Sequence, residues 1–238
     1  MLSYILSRLV ALALSLVVAS LVIFVIIELV PGDPASFMLG LNAAPDTVAA
    51  LRAELGLGGS LIERYLRWVG GMLQGDFGTS YTYRTPVAEL VTARLAVSLP
   101  LALMALLLST LIAIPVGLYA ASHHDRPSDW SVMGFTQLGI AIPNFWFAMI
   151  LVVIFAINLR WFSAGGFPGW DQGIWPSLKA LTLPAVALAL PQASILARVM
   201  RSAVLEVLGQ DYIRTARAKG LSRRRTLTDH ALRNALIP

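Results

Sequence analysis

Side chains able to do chemistry are few in this chain, and fewer stand at spacings that chemistry can use. His123, His124 and Asp125 are consecutive, and the third histidine, His230, is far along the chain. Adjacent residues do not share a helix face, so the convergent donors of a metal centre are missing. The hydrolase patterns Ser-x-x-Lys, His-Glu-x-x-His and Gly-x-Ser-x-Gly do not occur. There is no cysteine, which removes thiolate nucleophiles, thiolate metal sites and disulfides together. The only lysines are Lys179 and Lys219, neither preceded by glycine, so no Gly-Lys-Ser/Thr loop is present to cradle phosphates. If ATP drives this protein, another chain binds it.

Positive charge is what the chain concentrates. Arg198, Arg201, Arg214, Arg217, Lys219, Arg223, Arg224, Arg225 and Arg233 face only Glu206, Asp211 and Asp229 over the same stretch. A basic stripe alone is a weak footprint for nucleic acid, and nucleic-acid binding is not expected. Two meanings stay open: a signal that holds the segment on the inner side of a bilayer, or a docking surface for an acidic or phosphate-bearing partner.

The elements that must position these groups are set by lipid. Hydrophobic residues make up 57% and charged ones 13%, about half the charged share of a soluble domain. A spanning helix needs about 20 apolar residues, and four stretches qualify: 9–30, 96–121, 132–157 and 181–205. The first run is longer than a signal-peptide core and is read as a retained anchor. With the basic tail inside, four spans put the N-terminus, with Arg8, on the same side. Segments 31–95 and 158–180 then face outward, and Trp161, Phe162, Phe167, Trp170 and Trp175 form an aromatic belt in the second. Glu28, near the end of the first span, is expected to be a solvated rim carboxylate. The spans otherwise lack the mid-depth ionisable groups that an ion-coupled carrier uses.

Within the long outer segment, Ser60 and Glu63 have the spacing of a capping box. They open an amphipathic helix that alternates Leu61, Tyr65, Leu66, Val69 and Met72 with Glu63, Arg64 and Arg67. Its default place is the membrane interface, with packing on a partner as the alternative. Thr85 and Pro86 read as the N-cap and first position of a helix feeding the second span. Pro184 and Pro191, two turns apart in the fourth span, can kink it and line a pathway, although proline is common in membrane helices anyway. Asn144, beside Pro143 in the third span, is expected to hydrogen-bond between helices.

Beyond the fourth span, Asp211 is a suitable N-cap, Lys219 suits a helix C-terminus and Gly220 a left-handed cap. Ser222 can cap a second helix that would carry Arg223, Arg224 and Arg225 in its first turn, where cations are disfavoured.

The stretch Asp211, Tyr212, Ile213, Arg214, Thr215, Ala216, Arg217, Ala218, Lys219, Gly220, Leu221, followed by 230–238, resembles the EAA loop of the permease subunits of binding-protein-dependent ABC importers, in their dipeptide, oligopeptide and nickel branch. Segments 30–35, 75–80 and 142–146 match the same branch in order. Arg214, Thr215 and Ala216 stand where the general motif has Glu-Ala-Ala, a form common in this branch. The resemblance implies an all-α polytopic transmembrane bundle of the type I permease fold. It divides the chain into an N-terminal stub and first span (1–30), an extracytoplasmic amphipathic loop (31–95), a transmembrane core (96–205) and a cytoplasmic coupling loop (206–238). In the family that loop forms a coupling helix entering a cleft on the ATPase subunit, which assigns Asp211, Tyr212, Arg214, Thr215, Ala216, Arg217, Ala218, Lys219, Gly220 and Leu221 to ATPase coupling. Implied partners are a second homologous permease, two ATPase subunits holding ATP and magnesium, an extracytoplasmic substrate-binding protein and the bilayer of a prokaryotic inner membrane. No cofactor, catalytic residue or metal is implied in this chain. Family members continue past the position of Pro238, so a C-terminally truncated permease is expected. A secondary carrier or channel, or a membrane assembly subunit without transport, are the alternatives.

Overall fold

The protein is described by a computed structural model over residues 1–29, 32–40 and 43–236. Val30 and Pro31 of the first matched segment, and Ile237 and Pro238 of the last, lie outside the described residues. Among the described residues the structure is all-α, without a strand, and divides into two compact units, Met1–Leu95 and Ala96–Pro238.

In the first unit, α1 (Leu2–Leu29) has no buried residue. At 1.5 Å per residue its 28 residues extend about 42 Å, enough to cross a bilayer. Two short helices follow, α2 (Pro34–Leu39) and α3 (Pro45–Glu54). Asp33 caps α2, accepting from the Ser36 amide at 3.3 Å and the Ser36 hydroxyl at 2.7 Å, and pairs with Arg52 of α3 at 3.0 Å. The Ser36 hydroxyl first, then its amide and Arg52, hold the Asp33 carboxyl below the usual carboxylate range against a smaller opposing effect of desolvation.

α4 (Leu61–Leu73) starts on the capping box, with Ser60 and Glu63 exchanging both bonds. It does not lie free. Ser20, Phe24 and Glu28, four residues apart and so on one stripe of α1, meet Tyr65, Trp68 and Arg64. The Ser20 and Tyr65 hydroxyls are 2.8 Å apart, Phe24 lies 5.4 Å from the Tyr65 ring and 6.0 Å from that of Trp68, and Glu28 forms an ion pair with Arg64. Glu28 is therefore a partner of α4 rather than a solvated rim carboxylate, and α4 packs on α1. Leu61 and Leu66, two of the apolar residues of the alternation, stay exposed, while Trp68 makes the contact.

α5 (Val87–Ser122) begins without the expected cap. Thr79 and Pro86 form an isolated bridge, the Val87 amide donates to the Gly78 carbonyl and the Ser80 amide to the Thr85 carbonyl. Backbone pairing thus fixes the helix start, and the Thr85 hydroxyl is buried without a partner.

The third expected span, 132–157, is not one helix. α6 (Pro127–Ala141) ends before Pro143, and α7 (Asn144–Leu151), extended by a π-helical turn Val152–Asn158, leaves at 97° to it. The ring of Pro143 disfavours helical backbone at Ile142, which sits at φ −79° and ψ 124°. By contrast α8 (Ile174–Leu208) runs on through Pro184 and Pro191, and α5 through Pro100 and Pro115. Three helices, α1, α5 and α8, are long and apolar enough to cross a membrane, and the bent pair makes a fourth if counted as one span. The chain is a multi-pass membrane protein.

Small residues set the packing of the second unit. Ala105, Ser109, Ala113, Gly117 and Ala121 are buried at four-residue spacing on α5, and Ala185, Ala189, Ala193 and Ala197 on α8. A Cβ on Gly117 would lie 2.6 Å from the Ala197 carbonyl oxygen and 2.7 Å from Met200 Cβ, and one on Gly139 would lie 2.3 Å from Ser194 Oγ. Such stripes let helix backbones approach where lipid supplies no hydrophobic drive. Leu151 and Ala156, from α7 and its π-helical turn, pack with Leu183 and Ala187 of α8. Replacing Gly117 by leucine forces α5 from α8 and should destabilise the protein by about 1–3 kcal/mol or more. Gly134, with nothing within 4 Å of its Cβ position, provides the control. Thermal unfolding in detergent should show a lowered midpoint for Gly117→Leu and little change for Gly134→Leu; equal midpoints would contradict the close approach.

Candidate functional site

After α8 the chain turns at Gly209 and forms α9 (Asp211–Ala218). Gln210, not Asp211, occupies the N-cap; Asp211 is the first helical residue and no side chain caps the end. Its carboxylate still suits the positive end of the helix, and it lies 3.4 Å from Arg214 in a fully solvated pair of little energetic weight. At the other end Gly220 has φ +86°. The Gly220 amide donates to the Arg217 carbonyl at 2.9 Å and the Leu221 amide to that of Ala216 at 3.3 Å. These two bonds are a Schellman closure, which ends α9 after eight residues and turns the chain back.

Beyond it Ser222 caps α10 (Arg223–Arg225), accepting from the Arg225 amide at 3.4 Å. α10 continues as a π-helical stretch Thr226–Leu232 into α11 (Arg233–Ala235). The arginines crowd a helix start, where cations are unfavourable, yet Arg223 reaches the carbonyl of Ser122, the last residue of α5. A cation at the carbonyl end of a long helix is favourable, which accounts for Arg223; Arg224 and Arg225 remain exposed.

Two contacts hold α9 in place. Ile213 is buried, at 1% exposure. The Tyr212 hydroxyl accepts from the Asn234 side-chain amide at 3.1 Å, and that amide also donates to the His230 carbonyl at 2.8 Å. Asp211, Arg214, Thr215, Arg217, Ala218, Lys219 and Gly220 are exposed, with Ala216 and Leu221 half-buried. The result is a short helix offering two arginines and a lysine to the surroundings, seated on 223–235. That segment in turn packs on α5 and α8: Ala231 and Ala235 share a core cluster with Ala121, Met200 and Val204.

Residues 113–238 match the family described as binding-protein-dependent transport system inner membrane component, and residues 1–102 match the N-terminal region described for membrane components of the same systems. The chain belongs to this family, the permease subunits of ABC importers. A putative peptide transport system permease of Brucella suis is 40% identical over 93% of this chain and 71% of its own length. The oligopeptide transport system permease AppB of Bacillus subtilis is 41% identical over 90% of this chain and 69% of its own. The glutathione transport system permease GsiC of Salmonella paratyphi A is 38% identical over 100% and 75%. The chain thus spans about seven-tenths of the length of these relatives.

In this permease the residues 211–221 stand together on one helix and its closing turn. The other singled-out residues are distributed differently. Pro143 and Asn144 sit at the break between α6 and α7, both exposed, and Asn144 opens α7 without a side-chain hydrogen bond among the described residues, so the expected interhelical bond is not formed. Pro184 is exposed and Pro191 half-buried on α8. His124 turns to Asp129 and Arg201, a contact that sequence spacing did not suggest. Buried Asp129 was also missed; a lone carboxylate at the start of an apolar helix is its only signal in the sequence. Truncating Ile213 to alanine should cost about 2–5 kcal/mol of local stability, seen as faster amide exchange over 211–221 with α8 unaffected; unchanged exchange there would mean that Ile213 does not anchor α9.

Proposed function

We propose that this permease moves peptides or a similarly small solute across the inner membrane of a prokaryotic cell, and that α9 is its coupling helix. The solute class is supported by relatives named for peptide, oligopeptide and glutathione transport, glutathione being itself a short peptide. The N-terminus and 206–238 lie in the cytoplasm, supported by the excess of arginine after Arg198. Two ABC ATPase subunits bind ATP and magnesium, a second homologous permease completes the path, and an extracytoplasmic binding protein delivers the solute. This chain brings no nucleotide site of its own.

The observation that carries the proposal is the construction of α9. It is short, terminated at both ends, exposed on its basic side and anchored from beneath by Ile213 and Tyr212. A separate engine that grips such a helix can displace it as a body, and the displacement passes to α8 and to the segment 223–235. Along the path, Pro184 and Pro191 remove the amide donors that would meet the carbonyls of Ala180 and Ala187, and the α6–α7 break at Pro143 and Asn144 frees further backbone groups. Unpaired backbone of this kind provides polar lining at membrane depth.

The test uses the full-length permease with its partner subunits in proteoliposomes. Proline at Gly220 cannot adopt φ +86° and loses the bond to Arg217, a perturbation of about 3 kcal/mol at the closing turn. Gly220→Pro, and independently Ala216→Asp, should leave ATP hydrolysis running while uptake falls by about tenfold or more. Uptake equal to the parent in both variants would overturn the coupling role. Residues 1–238 hold no cysteine; with any cysteine elsewhere in the complex replaced, the thiol of Arg217→Cys should be reached by an impermeant reagent only from the cytoplasmic face.

A further inference from the structure

Asp129, in the first turn of α6, is completely buried and yet carries a carboxylate. Arg201 of α8 grips it with a fork: Nε donates to Oδ1 at 2.7 Å and Nη2 to Oδ2 at 2.6 Å. The Asp125 amide donates to Oδ2 at 3.3 Å, and His124 Nδ1 lies 3.4 Å from Oδ2 and 3.0 Å from Arg201 Nη2. Every group in this cluster comes from the turn between α5 and α6, from the start of α6, or from α8. Nothing in the transport chemistry described above uses it.

Its place gives it a use. Arg201 stands ten residues before α9 begins, and its neighbours Met200 and Val204 lie in the apolar cluster with Ala121 of α5 and Ala231 and Ala235 of the returning segment. Arg223 closes the same region on the Ser122 carbonyl. Apolar contacts are non-directional and let packed surfaces slide. A bidentate guanidinium–carboxylate fork fixes distance and angle together, and burial of the Asp129 carboxylate strengthens that pairing. The fork, with the His124–Arg201 contact beside it, is thus a directional fastening between the α5–α6 turn, the start of α6 and α8, and the hydrogen bond from Arg198 to Gln137 at 3.1 Å adds a second between α8 and α6.

We propose that Asp129 and Arg201 are positioning residues for energy coupling: they form a rigid joint through which displacement of α9 reaches α5 and α6 together with α8. This rests on α9 being the coupling helix. Its consequence is specific, since the α5–α6 turn and the end of α8 must keep a constant separation while the transporter cycles.

The experiment uses the full-length permease with its ATPase, permease and binding-protein partners. Arg126→Cys and Glu206→Cys, both at exposed positions within residues 1–238, which hold no cysteine, carry spin labels in a complex whose other cysteines are replaced, and their separation is measured without nucleotide and with ATP bound. An unchanged separation in the two states is expected; a change between them overturns the joint, and no variant of the fork is needed to see it. Asp129→Asn and Arg201→Lys, the second retaining the charge but not the fork, should broaden that distance distribution and lower the solute moved per ATP hydrolysed several-fold. An unaltered solute-to-ATP ratio in either assembled variant overturns the proposal. Gly220→Pro and Ala216→Asp separate the two failures: if either uncouples while both fork variants are normal, the joint alone is wrong, and if all four are normal, the role of α9 has failed and the joint with it.

Discussion

Helices already surrounded by lipid gain nothing by exchanging one apolar neighbour for another, so what joins them is contact distance and the few directional bonds they can make. In this permease contact distance comes first. At Gly117 the backbone of α5 lies against the Ala197 carbonyl and Met200, too close for even a methyl group, and Gly139 of α6 makes the same approach to Ser194. α8 is the helix both of them meet. Ala197 and Met200 meet α5, Ser194 meets α6, and Leu183 with Ala187 meets α7 and its π-helical turn. Larger residues at Gly117 or Gly139 would hold α5 or α6 away from α8, and the directional bonds would then have no partners within reach.

Those bonds cluster where the helices stop. The Asp129–Arg201 fork joins the first turn of α6 to α8, the Arg223 bond reaches the end of α5, and the Tyr212–Asn234 bond lies under α9, all close to where α5 and α8 end and α6 begins. Along the length of α8 the contacts are mainly apolar and small, whereas its end is fastened by arginine. α9 itself contributes one buried side chain and one hydrogen-bonded hydroxyl to its seat, and most of its remaining surface is exposed.

Much of this was legible from residue order. Ser60 and Glu63 announced a helix start, and the reciprocal bonds are present because a capping box needs nothing beyond its own four residues. Gly220 likewise stops α9 as its position suggested, since only glycine takes that backbone angle without strain. Other local signals were overridden. Thr85 does not cap α5, because Ser80 and Gly78 pair with its neighbourhood through the backbone first. Asp211 yields the cap to Gln210, one residue earlier. Pro143 divides a span that hydropathy reads as continuous, while Pro184 and Pro191 leave α8 unbroken; hydropathy sums side chains and carries no information about which proline the neighbours will tolerate.

Composition and order alone determined that this chain must live in lipid, how many apolar stretches it has, where the short helix after the last of them begins and ends to within a residue, and which family it joins. Each of those properties is local, depending on a run of side chains or on hydrogen bonds a few residues long. Only the tertiary structure decided that Glu28 belongs to Arg64, that α4 rests on α1, and that Asp129 is buried in the grip of a residue 72 positions away. Nothing in the spacing of those residues foretells their meeting, because it depends on which backbones come close enough, and that is set by glycines and alanines whose contribution is the space they leave.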